Sequence, residues 1–96
     1  MIDVAKLNRL QRAVSLVGLI AKYTELTRVG WQYVGLCPFH EDVNPSLCIE
    51  EVKGVYFCSG CGAAGDAVQF LQQIEGIDLE QAVARLEAAV HRAERF

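Results

Sequence analysis

The chain has 96 residues, 52% of them hydrophobic, and a formal net charge of −3. This length fits one domain, and the hydrophobic fraction is too high for a disordered segment. No apolar run reaches the roughly 20 residues of a membrane helix. The first residues show no basic region followed by a cleavable apolar stretch, so no signal peptide is expected. We therefore expect no membrane span and a reducing, cytoplasmic location, which favours metal binding over disulfides for the four cysteines.

The first 22 residues are predicted to form an N-terminal helical segment. Apolar side chains recur at three- and four-residue steps from Val4 to Val17, which predicts one apolar face. Asp3 is placed as its N-cap. Gly18 weakens the pattern and indicates a break between two helices. The apolar face is expected to be core, with a docking surface for a partner helix as the alternative.

A first β-hairpin is predicted with arms at residues 24–29 and 31–36 and Gly30 at its turn, because aromatic and β-branched residues favour strands. The hairpin carries a basic–aromatic cluster, which consists of Arg28, Trp31 and Tyr33. Such rings can stack on unpaired bases while the cation holds a phosphate. Rings of this size are usually buried in a small domain, so at least one of the two is expected in the core.

A second hairpin is predicted over residues 46–58. Strand alternation places Leu47 and Ile49 on one face and Cys48 on the other. Cys48 lies in mid-strand, away from any tight turn, so it is interpreted as a spare thiol.

Two short knuckles, Cys37-Pro38-Phe39-His40 and Cys58-Ser59-Gly60-Cys61, each place two metal-binding side chains two residues apart. Zinc takes four ligands in a tetrahedron, and a two-residue gap lets one tight turn supply two of them. The spacing therefore predicts one structural Zn²⁺, with Cys37, His40, Cys58 and Cys61 as ligands. Four protein ligands leave no open position for substrate, so a catalytic metal is not expected. Two disulfides, or buried unliganded thiols with a surface His40, remain the alternatives.

The last segment, residues 66–96, is predicted to form two helices. Asp66 is placed to cap the first helix and Gly76 to end it. Asp78 and Gln81 form a capping-box-like pair at the start of the second. Four residues are expected to form the buried stripe of that helix: Leu79, Val83, Leu86 and Val90.

The knuckles and their flanks resemble the zinc-binding domain of bacterial and phage DNA primases. The family pattern is matched by Cys-Pro-Phe-His at 37–40, Asn-Pro-Ser-Leu at 44–47, the second knuckle within 55–62 and Gly-Asp before a helix at 65–71. The resemblance implies an α+β fold, in which a small zinc ribbon of antiparallel β-hairpins (residues 24–61) is flanked by α-helices. It also implies that residues 1–96 form one such domain.

The resemblance further implies that the chain binds single-stranded DNA template and helps to select the initiation site for RNA primer synthesis. In the family, synthesis itself lies in a separate polymerase domain, so this chain is not expected to be an enzyme on its own. Its expected partners are single-stranded DNA and a primase polymerase domain or replicative helicase. The residues expected to contact DNA are Arg28, Trp31, Tyr33, Lys53 and Tyr56.

Acidic charge distinguishes this chain from the family pattern. Glu41 and Asp42 directly follow His40, and Val43 and Asn44 stand where the family often has lysine. DNA binders usually carry a basic excess or patch. The alternative is therefore a zinc-stabilised protein-interaction module of a phage- or plasmid-type replication system that has lost DNA binding.

Overall fold

The structure, a computed structural model, describes residues 3–41 and 43–91. Within these ranges the chain forms an antiparallel sheet, with two helices before it and two after it in the sequence. This confirms the predicted α+β class. The elements are α1 (Val4–Ala13), α2 (Leu16–Ile20), β1 (Leu26–Val29), β2 (Gln32–Gly35), β3 (Leu47–Glu50), β4 (Val55–Cys58), β5 (Ala64–Gly65), α3 (Ala67–Glu75) and α4 (Leu79–His91). None of the described helices is both long and apolar enough to cross a membrane.

The five strands form a meander in which each strand pairs antiparallel with its neighbour in sequence. Because successive strands reverse direction, the β1–β2 and β3–β4 turns lie together at one end of the sheet, and the two knuckles lie at the other. Gly30, with φ of 67°, forms the first turn as predicted. Gly54 has the same φ at the second turn. We call the end with both turns the tip end.

The two faces of the sheet differ in exposure. Residues paired across strands point to the same side, so the strand register assigns each residue to a face. The core face contains two cross-strand rows, Leu26–Gly35–Leu47–Cys58 and Arg28–Tyr33–Ile49–Tyr56–Gly65. The opposite side, which we call the open face, consists of Thr27, Val29, Gln32, Val34, Cys48, Glu50, Val55, Phe57 and Ala64. The predicted separation of Leu47 and Ile49 from Cys48 is confirmed.

The N-terminal segment does contain two helices, but the predicted break at Gly18 is wrong. The chain leaves the helical conformation at Val14, and Ser15 caps α2 by accepting a hydrogen bond from the Gly18 N–H at 3.0 Å. The second helix therefore begins where the Ser15 hydroxyl can cap it, and Gly18 lies inside that helix. Asp3 caps α1 as predicted, accepting from the Ala5 N–H at 3.0 Å.

The start of α2 is held by Glu51, which reaches it from the β3–β4 turn. One carboxylate oxygen accepts from the Leu16 N–H at 2.9 Å, and the other accepts from the Ser15 hydroxyl at 2.6 Å. The first of these bonds satisfies a backbone donor that has no partner within the helix. The tip of the second hairpin is therefore fastened to the helical layer.

Replacing Glu51 by Ala should lower the free energy of unfolding of the zinc-loaded chain by about 1–3 kcal/mol, because partly buried donors lose their acceptor. Denaturant unfolding checks this. Val52→Ala at the same turn is the control, since Val52 is 95% exposed. Equal stability of the two variants would show that the carboxylate does not anchor α2.

Both C-terminal helices begin as the sequence predicts. Asp66 and Gln69 exchange side-chain and backbone hydrogen bonds at 3.0 and 3.1 Å, and Asp78 and Gln81 do the same at 2.8 and 3.1 Å. Gly76 ends α3 with a left-handed φ of 66°.

The buried stripe of α4 starts one turn later than predicted. Leu79 is 39% exposed because it is the first residue of the helix, whereas Ala82, Val83 and Leu86 are buried. The Val90 side chain lies outside the described part of the chain.

The centre of the core is an aromatic cluster around Phe70 of α3. Its ring lies 5.4 Å from that of Tyr23, 5.3 Å from that of Phe39 and 5.5 Å from that of Tyr56, all with edge-to-face geometry. Such pairs add to the stabilisation from area burial alone. Since Phe39 belongs to the first knuckle, the cluster connects the helical layer to the knuckle end of the sheet.

Candidate metal centre

The two knuckles meet because β2 and β4 run in the same direction and end side by side across β3. Cys37 follows β2 by two residues, Cys58 is the last residue of β4, and Cys61 lies in the turn that follows. That turn is closed by a hydrogen bond from the Gly62 N–H to the Cys58 carbonyl at 2.8 Å. Gly62 has φ of 80°, which a residue with a side chain rarely adopts.

The structure brings together all four predicted ligands. One possible ligand atom from each of Cys37, His40, Cys58 and Cys61 lies within 4.8 Å of every other. The Cys37 and Cys61 sulfurs are 3.8 Å apart, and His40 Nε2 is 3.3 Å from the Cys58 sulfur. Zn–S bonds of about 2.3 Å in a tetrahedron give S···S edges of roughly 3.8 Å, so the donor set and its spacing fit one zinc ion.

The His40 ring is oriented by a neighbouring backbone carbonyl. Its Nδ1 is 2.8 Å from the Glu41 carbonyl oxygen, a position from which the Nδ1–H donates. This fixes the tautomer that leaves Nε2 as the metal-binding nitrogen. Glu41 thus acts at the site through its main chain, while its side chain is exposed.

Two of the thiols differ in acidity because of their surroundings. Burial raises the pKa of the Cys37 thiol to about 12. Burial also acts to raise the pKa of Cys58, but hydrogen bonds from Ser46 and His40 outweigh it and lower that pKa to about 6. Zinc binds thiolates, so binding displaces the Cys37 proton, and zinc affinity is expected to rise with pH.

The absence of a side chain at Gly60 makes room for the His40 ring. A Cβ at this position would lie 3.0 Å from both Cε1 and Nε2 of His40. We expect Gly60→Ala to weaken zinc binding by about 1–3 kcal/mol, the usual cost of overpacking, because the ring must move. Competition with a zinc chelator measures this, with Ser59→Ala as the neighbouring control. Unchanged affinity in Gly60→Ala would contradict a tight fit around the ring.

Cys48 lies apart from this cluster, on the open face between Val34 and Phe57. All four cysteines are free thiols in the structure, so the disulfide alternative finds no support here.

Three of the predicted DNA-contacting residues are exposed towards the tip end. Trp31 is 77% exposed in the β1–β2 turn. Lys53 lies in the β3–β4 turn, where its amine is 3.3 Å from the Glu50 carboxylate. Arg28 is exposed on the edge strand, and its Nε donates to the Gly30 carbonyl at 2.9 Å.

The structure contradicts the prediction that Tyr56 is available to stack on a base. Tyr56 is 2% exposed, its hydroxyl donates to Gln73 at 2.8 Å, and its ring packs on Phe70. The physical reason is strand alternation, since Cys58 must face the metal cluster and Tyr56, two residues earlier, shares its side. Tyr33 is half-buried in the same core-face row.

Phe57 is the exposed ring that the sequence reasoning missed. It is 52% exposed on the open face, directly across from Cys48. The signal was available, because a side chain next to a strand ligand must point away from the metal.

This fold and site define a zinc ribbon, in which two knuckles at one end of an antiparallel sheet bring together three cysteines and one histidine in a cluster that fits a single ion.

Comparisons with known proteins narrow the class to a family. The family model described as a CHC2 zinc finger, the zinc ribbon of DnaG-type primases, matches residues 2–94. DNA primase from Thermotoga maritima is 44% identical over 80 residues, which cover 83% of this chain and 14% of that protein. DNA primase from Geobacillus stearothermophilus is 44% identical over 79 residues, covering 82% and 13%.

A solved structure shows the same arrangement. The structure of the Aquifex aeolicus primase, zinc-binding and RNA polymerase domains, matches 95% of this chain and 22% of that chain, with a TM-score of 0.79 and 33% identity. The chain belongs to the CHC2 zinc finger family of DNA primases, and it binds one zinc ion. It spans about 14% of the length of its curated relatives.

Proposed function

We propose that Cys37, His40, Cys58 and Cys61 are the zinc ligands, and that the ribbon they hold binds single-stranded DNA template on its open face. The observation that carries the DNA proposal is the exposed aromatic Phe57 on a sheet face that points away from the core. Aromatic rings on an open sheet offer every base a stacking surface whatever its sequence. Membership in the primase family makes template the ligand to test.

The proposed surface runs from Phe57 to the tip end, where Trp31 and Lys53 project from adjacent turns. Arg28 is exposed on the edge strand, but it belongs to the core-face row and therefore points away from the open face. Tyr56 is excluded from the contact set by its burial, and Tyr33 reaches solvent only in part. Two rings, Phe57 and Trp31, and one cation, Lys53, therefore remain on this surface.

The charge on this surface favours stacking over phosphate contacts. Glu50 lies in the open face and contacts both Lys53, at 3.3 Å, and the Gln32 amide, at 3.4 Å. With few cations, the chain releases few counterions on binding, so the affinity should depend only weakly on salt. This suits a module that inspects template bases and does not hold a duplex through its backbone.

In this proposal the chain is a recognition module without catalysis of its own. It would help to choose the initiation site in the cytoplasm, while a primase polymerase domain makes the primer and a replicative helicase supplies unwound template.

Titration of labelled single-stranded DNA by fluorescence anisotropy tests the proposal. We expect Trp31→Ala and Phe57→Ala each to weaken binding by about 1–3 kcal/mol, the usual value of one stacked base. Lys53→Ala should weaken binding to all sequences and reduce the salt slope by about 0.7, the value for one phosphate contact on a single strand.

Leu79→Ala is the control for this titration, because Leu79 is 39% exposed but lies on α4, in the helical layer. If neither ring variant loses affinity while Leu79→Ala behaves like the parent, the open face is not the binding surface.

The second candidate, a protein-interaction module, is favoured by the apolar character of the same face. Val55, two residues before Phe57 on β4, is 41% exposed, and Val29 on the edge strand β1 is 56% exposed. Absence of single-stranded DNA binding at low salt would make this candidate the better account.

A further inference from the structure

Ser46 touches the metal cluster without being one of its ligands. Its hydroxyl oxygen lies 3.3 Å from the Cys58 sulfur, which is fully buried. A ligating thiolate carries no proton, so the hydroxyl must be the donor of this hydrogen bond when the ion is bound. We propose that Ser46 is a positioning residue for the zinc site, which holds the Cys58 thiolate in place and tunes its electron donation to the metal.

The backbone around Ser46 is built to present this hydroxyl. The Ser46 carbonyl accepts from the Ser59 N–H at 3.0 Å, which continues the β3–β4 pairing one step beyond Leu47 and Cys58. Ser46 is therefore fixed to the knuckle that it serves. A Cβ on Gly60 would lie 3.0 Å from the Ser46 hydroxyl oxygen, so the absence of a side chain there leaves room for it.

In each knuckle, one proposed ligand is hydrogen-bonded to a group outside the ligand set. On the histidine, the Glu41 carbonyl accepts from Nδ1; on the thiolate, the Ser46 hydroxyl donates to sulfur. Such partners typically change metal affinity by about 10- to 100-fold when they are removed. A hydrogen bond to a thiolate also withdraws electron density from sulfur, which makes it a poorer nucleophile. The loss of affinity on removing Ser46 is therefore attributed to the lost positioning of the thiolate, and the electronic effect is read from spectroscopy and reactivity.

Ser46→Ala tests this inference, with Ser59→Ala as the matched control. The Ser59 hydroxyl bonds at 3.4 Å to the Ser46 carbonyl, and its side chain is exposed. Zinc affinity is measured on the full chain by competition with a chelator. We expect Ser46→Ala to lose about 10- to 100-fold in affinity, and Ser59→Ala to match the parent chain.

A spectroscopic readout separates electronic tuning from simple packing. With Co²⁺ bound at saturation, loss of the hydrogen bond should shift the sulfur-to-metal charge-transfer band of Ser46→Ala to lower energy, and an alkylating reagent should eject zinc faster. Ser59→Ala should show neither change. Parent-like affinity in Ser46→Ala, or an unshifted band despite weaker binding, would overturn the proposal. The inference rests on the proposed zinc ligands, but none of these readouts involves DNA, so its failure can be distinguished from a failure of the DNA-binding proposal.

Discussion

Cys58→Ser is expected to lose stoichiometric zinc and, with it, the folded ribbon. Cys58 is fully buried, ends β4 and supplies one of the four proposed ligands. Structural zinc contributes an apparent 10 kcal/mol or more, about as much as the whole stability of a small domain. Elemental analysis of the parent should give one zinc per chain, and circular dichroism of the variant should show loss of the fold. Chelation of the parent should have the same effect.

Cys48→Ser is the matched control, because it makes the same chemical change on a thiol outside the cluster. It should keep both zinc and fold. Zinc loss in Cys48→Ser, or a folded Cys58→Ser chain, would show that the ligand set is assigned wrongly.

Phe70→Ala should produce the largest loss of stability among core substitutions that leave the ligands intact. Phe70 is fully buried and contacts three other rings. Truncating such a residue costs about 3–5 kcal/mol, since it removes buried surface and leaves a cavity. Because Phe39 packs on this ring and adjoins His40, zinc affinity should fall as well. Thermal unfolding and chelator competition measure the two effects.

Phe57→Ala provides the same substitution on an exposed ring and should cost far less stability. The two phenylalanine variants should also differ in how they affect DNA binding. Phe57→Ala should weaken DNA binding while the fold persists. Equal stability losses in the two variants would contradict the assignment of Phe70 to the core and Phe57 to the surface.

Features set by nearby residues could be predicted from the sequence. The caps at Asp66 and Asp78 each use a glutamine three residues on, and the turn at Gly30 needs a conformation that glycine supplies. The metal cluster was also predictable, because each knuckle supplies its two ligands from one tight turn.

Contacts between distant segments could not be predicted in this way. The bond from Ser15 to Glu51 joins residues 36 positions apart, and nothing local marks Glu51 as more than a turn residue. The wrong prediction at Tyr56 has a different cause, because the resemblance matches an aromatic residue at this position and carries no information on which side of β4 it faces. Counting back from Cys58 in steps of two would have placed that ring in the core.

The metal cluster has a consequence for strand register. Zinc would join the end of β4 to the end of β2 across β3, so β4 cannot slip by one residue without turning Cys58 away from the ion. Such a slip would exchange the two sides of the whole strand, burying Phe57 and exposing Tyr56. The ion therefore selects which aromatic ring of the pair meets solvent, although it contacts neither.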